Sequence, residues 1–236
     1  GYDVSFHPIS PEEMQKWYFT PLTWVQQGQE EKVLALAAQH GIEDFYAEKY
    51  LDTLRVGAGT APDELFDKSH GFYIAVIQGF FRDYYYTRGS AFSFLVEEKP
   101  EYARYFTPWA QVVPTALPNP AKNQIIENYC SGVYLSPNQV LQILRDLEQE
   151  PKVLEDLEKH WSDGQFAVLK KALTAAAELG TGLLEATEVV EPNPLHPNES
   201  TCYSNLFHCD RDGVYLYIDM AMKQIAQAME QNKSDP

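Results

Sequence analysis

This chain has few cysteines, few basic residues and no long apolar run, and each shortage excludes a class of protein. Three cysteines are too few for a disulfide framework and suit a reducing cytosol. The 18 Lys and Arg are outnumbered by 34 Asp and Glu, which gives a formal net charge of −16. Nucleic acid and anionic membranes would be repelled by that charge. No apolar run approaches the ~18 residues that cross a bilayer, so we expect a cytoplasmic protein.

Familiar catalytic and cofactor-binding motifs are also missing. The chain contains no G-x-S-x-G elbow, no Walker A motif, no G-x-G-x-x-G fingerprint and no C-x-x-C pair. A nucleophilic pair of Cys130 with His160 or His208 stays open, because three cysteines and six histidines allow many combinations. The missing signatures favour a non-catalytic protein without a cofactor and leave the question of an enzyme undecided.

Aromatic residues are concentrated in the middle of the chain. Residues 66–109 hold 14 of the 31 Phe, Tyr and Trp. Residues 68–130 carry six basic and five acidic side chains, whereas both flanks are strongly acidic. The pattern predicts an aromatic core or groove element surrounded by an acidic surface.

The strongest helical periodicity spans residues 72–86. A helix there would point the side chains of Tyr84, Tyr85 and Tyr86 in three directions, so at least one would face solvent, another helix or a partner. Tyr and Arg are enriched at interfaces. An aromatic core with hydrogen-bonded hydroxyls is the alternative. The candidate ligand- or partner-binding residues are His70, Arg82, Tyr84, Tyr85, Tyr86 and Arg88.

The predicted fold is α+β, mainly α-helical with a few short β-strands. Alternation over residues 2–8 indicates a half-buried strand, and residues 130–135 indicate a second one. Each is followed by a Ser-Pro helix start with a capping-box residue, Glu13 after Ser10 and Gln139 after Ser136. We expect one globular domain over residues 1–236, with a subdivision near 110–125 as an alternative.

Further helices follow from apolar periodicity and from Gly and Pro stops. The first should end at about Phe19, near Pro21. The others are expected at residues 30–40, 42–56, 151–161, 165–179 and 213–231, with a Pro-rich loop at 191–200.

The segment from His208 to Asp219 has the spacing of a calcium-binding loop but the wrong residues. His208 stands where an aspartate is expected, and Asp219 replaces the bidentate glutamate. The simpler interpretation is that Asp210 or Asp212 caps the last helix. Cys130, Cys202, Cys209 and His208 are an alternative soft-metal set, but buried inert cysteines are the ordinary case. We therefore expect no metal.

Two short segments resemble the YfbM-like family of uncharacterised bacterial proteins. They are Tyr134–Val140 and the opening strand that ends in Ser10-Pro11-Glu12-Glu13. Residues 205–213 depart from that pattern. The resemblance implies a small bacterial cytosolic α+β protein and brings no catalytic residues with it.

Two functions follow as hypotheses. The first is a non-catalytic binding protein for a basic protein partner, such as an immunity-type inhibitor of a basic toxin or nuclease. The second is a small-ligand-binding protein or enzyme with a pocket beside Tyr84–Tyr86. The sequence leaves the oligomeric state open.

Overall fold

A central β-sheet covered by helices on both faces forms the body of the protein. The computed structural model describes residues 2–59, 70–112, 125 and 130–233. Five strands pair in the order β3-β4-β1-β2-β7. All neighbours are antiparallel except β2 and β7. The predicted α+β class, mainly helical with a few short strands, is confirmed.

The strands are short, and a second sheet of two strands lies outside the main one. Their bounds are β1 Asp3–Ile9, β2 Tyr84–Arg88, β3 Ser131–Leu135, β4 Gly182–Thr187, β5 Val190–Glu191, β6 Thr201–Cys202 and β7 Cys209–Asp210.

The helices divide between the two faces of the sheet, and the last helix, α11 (Arg211–Lys233), packs beside β2. One face carries α1 Pro11–Met14, α2 Thr20–Gln26, α3 Glu30–Gln39, α4 Asp44–Ala58, α5 His70–Phe81 and α7 Trp109–Val112. The other carries α6 Phe92–Glu98, α8 Pro137–Gln149, α9 Pro151–His160 and α10 Gln165–Leu179.

The first strand is buried on both faces, not half-buried as its alternation predicted. Val4 and Phe6 face the α8–α10 layer, and Ile9 faces the α1–α5 layer. Ser5 and His7 are also buried. Alternation indicated a solvent-facing side, but these polar residues satisfy each other inside the core instead, with 2.8 Å between Ser5 Oγ and His7 Nε2.

The first helix does not end near Pro21, as we expected, but continues to Gln26. Between α1 and α2 the chain forms a π-helical stretch, Gln15–Phe19. Pro21 has no N–H, so the carbonyl of Trp17 loses its usual partner four residues on. The hydroxyl of Tyr50 donates to that carbonyl at 2.5 Å and takes the place of the missing bond.

The helix predicted over residues 72–86 is confirmed up to Phe81 and is wrong beyond it. α5 ends at Phe81, and residues 84–88 form β2 between β1 and β7. Tyr85 lies opposite Phe6 in the antiparallel ladder. α5 is buried nearly all round, so its apolar run carried no reliable end signal. The aromatic and β-branched residues 84–87 favour a strand.

Both predicted strand-Ser-Pro-helix units are confirmed. Ser10 and Ser136 each cap a helix through a complete capping box. Their strands, β1 and β3, flank β4 on either side. The structure also contains β4 and α6, which the sequence did not predict. Most of the proposed subdivision near 110–125 lies outside the described residues.

Candidate functional site

A cleft of about 620 Å³ opens where the π-helical stretch meets the end of α5. Aromatic rings form much of its wall, and charged side chains stand around it. The lining residues are Glu13, Lys16, Trp17, Thr20, Trp24, Leu36, Gln39, His40, Phe81 and Arg82. The mixture of rings with a few polar groups is typical of small-ligand sites.

The rings of the cleft are fixed by stacking. Trp17 and Phe81 lie nearly parallel, with 4.2 Å between their centroids. His40 meets Phe81 edge-on at 5.1 Å. From beneath, Tyr50 meets Phe81 edge-on at 5.5 Å. These contacts hold the aromatic wall in one arrangement, so a ligand would meet a preformed surface.

The charges of the cleft leave a positive group uncompensated. The guanidinium of Arg82 forms two hydrogen bonds with the carboxylate of Glu13, and its Cζ lies 4.9 Å from the centre of the Trp17 ring. Glu13 is therefore neutralised by Arg82. Lys16 is exposed and forms no ion pair within the described part of the chain. Among the described residues, the cleft thus holds one cation without an ion-pair partner, in a protein with a net charge of −16.

Only one of the predicted binding residues, Arg82, lines this cleft. His70 begins α5 and is buried, where its Nδ1 is hydrogen-bonded to the hydroxyl of Tyr18. Burial lowers the pKa of His70. Arg88, at the far end of β2, pairs with Asp3 at 2.5 Å. The structure therefore separates these residues rather than bringing them together.

The three consecutive tyrosines are core residues in a strand, so no helical turn presents one of them to solvent. Tyr84 and Tyr86 face the α1–α5 layer, and Tyr85 faces the opposite layer. All three are buried. The hydroxyl of Tyr86 donates to Asp3 at 2.7 Å, and that of Tyr84 lies 3.4 Å from the sulfur of Cys202. None of the three lines the cleft at Arg82.

A serine–histidine–glutamine chain lies in the core near these tyrosines. Ser5 Oγ is 2.8 Å from His7 Nε2, and His7 Nδ1 is 2.7 Å from the side-chain oxygen of Gln78. Burial lowers the pKa of His7 to about 3. The order of groups is that of a nucleophile and its base, but none of the three is accessible to a substrate. The chain therefore satisfies buried polar groups.

A buried carboxylate, Glu185 on β4, is held at the start of α6. It accepts hydrogen bonds from the backbone N–H of Phe92 at 2.6 Å and from the hydroxyl of Ser93 at 2.7 Å. Burial raises its pKa to about 7, and these hydrogen bonds oppose that rise. Glu185 joins the sheet to α6 and is closed off from solvent.

The acidic segment before α11 is a helix cap. Asp210 accepts from the backbone N–H of Asp212 at 3.1 Å, as predicted for a cap, and both carboxylates pair with Lys171. Asp219 lies inside α11. Within the described ranges no three His, Cys, Asp or Glu side chains are grouped to hold a metal ion. None of the three cysteines is in a disulfide bond.

A second, more apolar cleft of about 380 Å³ lies between α4, α5 and the β6 segment. Val76 and Phe72 contribute to its wall, and Lys49 stands at it. The ammonium of Lys49 already donates to the carbonyls of Cys202 and Ser204, at 3.4 Å each. Its cation is therefore engaged within the chain.

Comparison with protein-family models, with characterised proteins and with solved structures found no match. The likeness to the YfbM-like family stays a prediction. Among the described helices, none has the length and apolarity that a bilayer span requires.

Sequence reasoning missed most of the cleft. Lys16, Trp17, Trp24 and His40 were not candidates, because their neighbours Phe81 and Arg82 lie far away along the chain. One signal was available. Trp17 and Trp24 are seven residues apart, which places two large rings on one side of a helix.

Proposed function

We propose that this protein binds a small aromatic anion in the cleft beside Trp17, and that it is a binding protein rather than an enzyme. One observation carries the proposal: the exposed ammonium of Lys16 stands, without an ion-pair partner in the described residues, in a cleft lined by Trp24 and Phe81. The aromatic ring of the ligand would pack against the wall, and its anionic group would pair with the ammonium of Lys16.

Electrostatics supports an anionic ligand. Because Arg82 neutralises Glu13, the remaining fixed charge among the described lining residues is that of Lys16. A single cation in an acidic protein attracts an anion locally, while the acidic surface repels anions elsewhere. Selectivity for the cleft over the rest of the surface follows from this contrast.

Binding without catalysis is supported by the positions of the reactive groups. Ser5, His7 and Gln78, which have the order of a catalytic chain, are buried in the core. In the cleft, the hydroxyl of Thr20 already accepts a hydrogen bond from the Gln15 side chain at 2.8 Å. Neither set presents an activated nucleophile to a ligand.

Two probes with the same ring and opposite charge test the proposal. Indole-3-acetate and tryptamine are each titrated into the protein and followed by isothermal calorimetry. We expect indole-3-acetate to bind and tryptamine to bind at least about tenfold more weakly, a difference of about 1.4 kcal/mol. Equal binding of the two probes, or no binding of the anion, overturns the proposal.

Two charge-reversal variants separate the cleft from the overall charge. Lys16→Glu removes the proposed anchor, whereas Lys159→Glu makes the same change of net charge on α9, on the opposite face of the sheet. Both lysines are exposed. We expect Lys16→Glu to abolish indole-3-acetate binding and Lys159→Glu to leave it unchanged. Equal losses would show a general charge effect instead of a site.

The second candidate function is the binding of a basic protein partner. The observation that favours it is an exposed apolar segment next to the edge strand β7, in which Phe207 is 82% exposed and Tyr203 and Leu206 are also exposed. Exposed apolar residues within an acidic surface suit a partner that is both basic and apolar at its interface.

A pull-down from native lysate at low and high salt tests this candidate. The wild-type chain should retain a basic protein at low salt, and Phe207→Ser should retain less of it. Recovery of no protein at low salt, or equal recovery with Phe207→Ser, removes the candidate.

A further inference from the structure

The last helix extends beyond the body of the protein. The first part of α11 packs beside β2, where Gly213 runs so close to the backbone that a Cβ at this position would collide with the carbonyl oxygen of Tyr86. Every side chain described over residues 222–232 is exposed. These eleven residues are three turns of helix, roughly 16 Å long.

An apolar stripe follows the exposed side of α11. Its residues recur at alternating spacings of three and four, which is the a/d pattern of a coiled coil. Tyr215 is 55% exposed, Met222 50% and Met229 59%. The stripe consists of Tyr215, Ile218, Met222, Ile225 and Met229.

Small residues flank this stripe on the projecting half. Ala221 and Ala228 occupy one flank and Ala226 the other. In a coiled coil these are the positions that meet the partner helix beside the seam. Alanine there allows two helices to approach closely.

The projecting half of α11 continues a helix whose first part is packed on the body. Most helical stability in proteins comes from packing of an apolar face. On the projecting half, Met222 is 50% exposed, Ile225 36% and Met229 59%. A second helix against the stripe would supply that packing.

Charge identifies the partner. Residues 213–233 of α11 have no net charge, because Asp219 and Glu230 are balanced by Lys223 and Lys233. The whole chain has a net charge of −16. A neutral segment offers no net negative charge to a basic partner. Two copies of an acidic protein, in contrast, repel each other least where their surfaces are neutral. A stripe with this repeat also matches itself about a two-fold axis.

We propose that α11 pairs with the same helix of a second copy through this stripe and forms a homodimer. The projection of the helix keeps the two acidic bodies apart. The dimer is independent of the ligand cleft, which lies at α1, α2, α3 and α5.

Sedimentation velocity across a concentration range tests the dimer. Wild-type protein from about 5 µM to about 500 µM should change from one chain to two with increasing concentration; one chain has a mass of 26.9 kDa. High salt should strengthen the dimer, because it screens repulsion between the acidic bodies. A wild-type chain that stays monomeric over the whole range overturns the proposal.

Two variants of α11 localise the contact. Ile225→Glu places a charge in the stripe, and Gln227→Glu places the same charge on the same helix outside the stripe and its flanks. Ile225→Glu should weaken dimerisation at least about tenfold, and Gln227→Glu should not. Melting temperatures measured on dilute monomer should be equal, because the segment projects from the body. Equal dimerisation by both variants contradicts the stripe as the interface.

Discussion

The hydroxyl of Tyr50 donates a hydrogen bond to the main-chain carbonyl of Trp17 at 2.5 Å. Pro21, four residues later, has no N–H to donate to that carbonyl. A side chain from α4 thus completes the helix that carries the aromatic wall of the cleft, and the position of Trp17 depends on it.

Tyr50→Phe should destabilise the protein by about 1–3 kcal/mol, because it removes the hydrogen bond that the Tyr50 hydroxyl donates to a buried carbonyl. Urea unfolding measures the change. Tyr46→Phe on the same helix is the control, since no hydrogen bond of the Tyr46 hydroxyl is found in the described residues. A loss of indole-3-acetate binding should accompany Tyr50→Phe alone. Equal effects of both variants would contradict a specific role for the Trp17 carbonyl.

Glu185 should give stability a pH dependence of known sign. Its pKa is raised from 4.5 to about 7 in the folded protein, mainly by burial. The protonated form is therefore favoured by folding, and the stability it contributes is complete below pH 4.5 and is lost as the pH rises through 7. The loss is on the order of 3 kcal/mol. His7 acts in the opposite direction, because its pKa is lowered from 6.5 to about 3.

A comparison with Glu185→Gln isolates that contribution from the effect of His7. As the pH rises from about 5 to about 8, the free energy of unfolding of the wild-type protein should fall relative to that of Glu185→Gln. Glu178→Gln, an exposed change on α10, should show no such shift. A wild-type–variant difference that is constant with pH for Glu185→Gln contradicts the raised pKa.

Local signals predicted the helix starts, and tertiary contacts decided the rest. The capping boxes at Ser10 and Ser136 are complete within a few residues, so the sequence contains all of their determinants. Gly182–Thr187 was not predicted as a strand, because it depends on pairing with β1 and β3. The cleft was missed for a similar reason, since Trp17 meets Phe81 only in the folded chain.

The cap at Asp210 should behave as a helix cap rather than a metal site. Asp210→Ala removes the hydrogen bond to the N–H of Asp212 and the ion pair with Lys171. We expect a loss of about 1 kcal/mol by urea unfolding. Addition of EDTA to wild-type protein should leave the melting temperature unchanged. A fall with EDTA that calcium reverses would contradict this assignment.

The indole N–H signals of the four tryptophans test the ligand site most directly. Trp17 and Trp24 line the cleft, whereas Trp109 and Trp161 are buried elsewhere, with the Trp109 indole nitrogen 3.2 Å from the carbonyl of Gly132. In a ¹⁵N–¹H NMR titration with indole-3-acetate, the signals of Trp17 and Trp24 should move and those of Trp109 and Trp161 should stay. Movement of the Trp109 or Trp161 signal alone, or of none of the four, would contradict the proposed function.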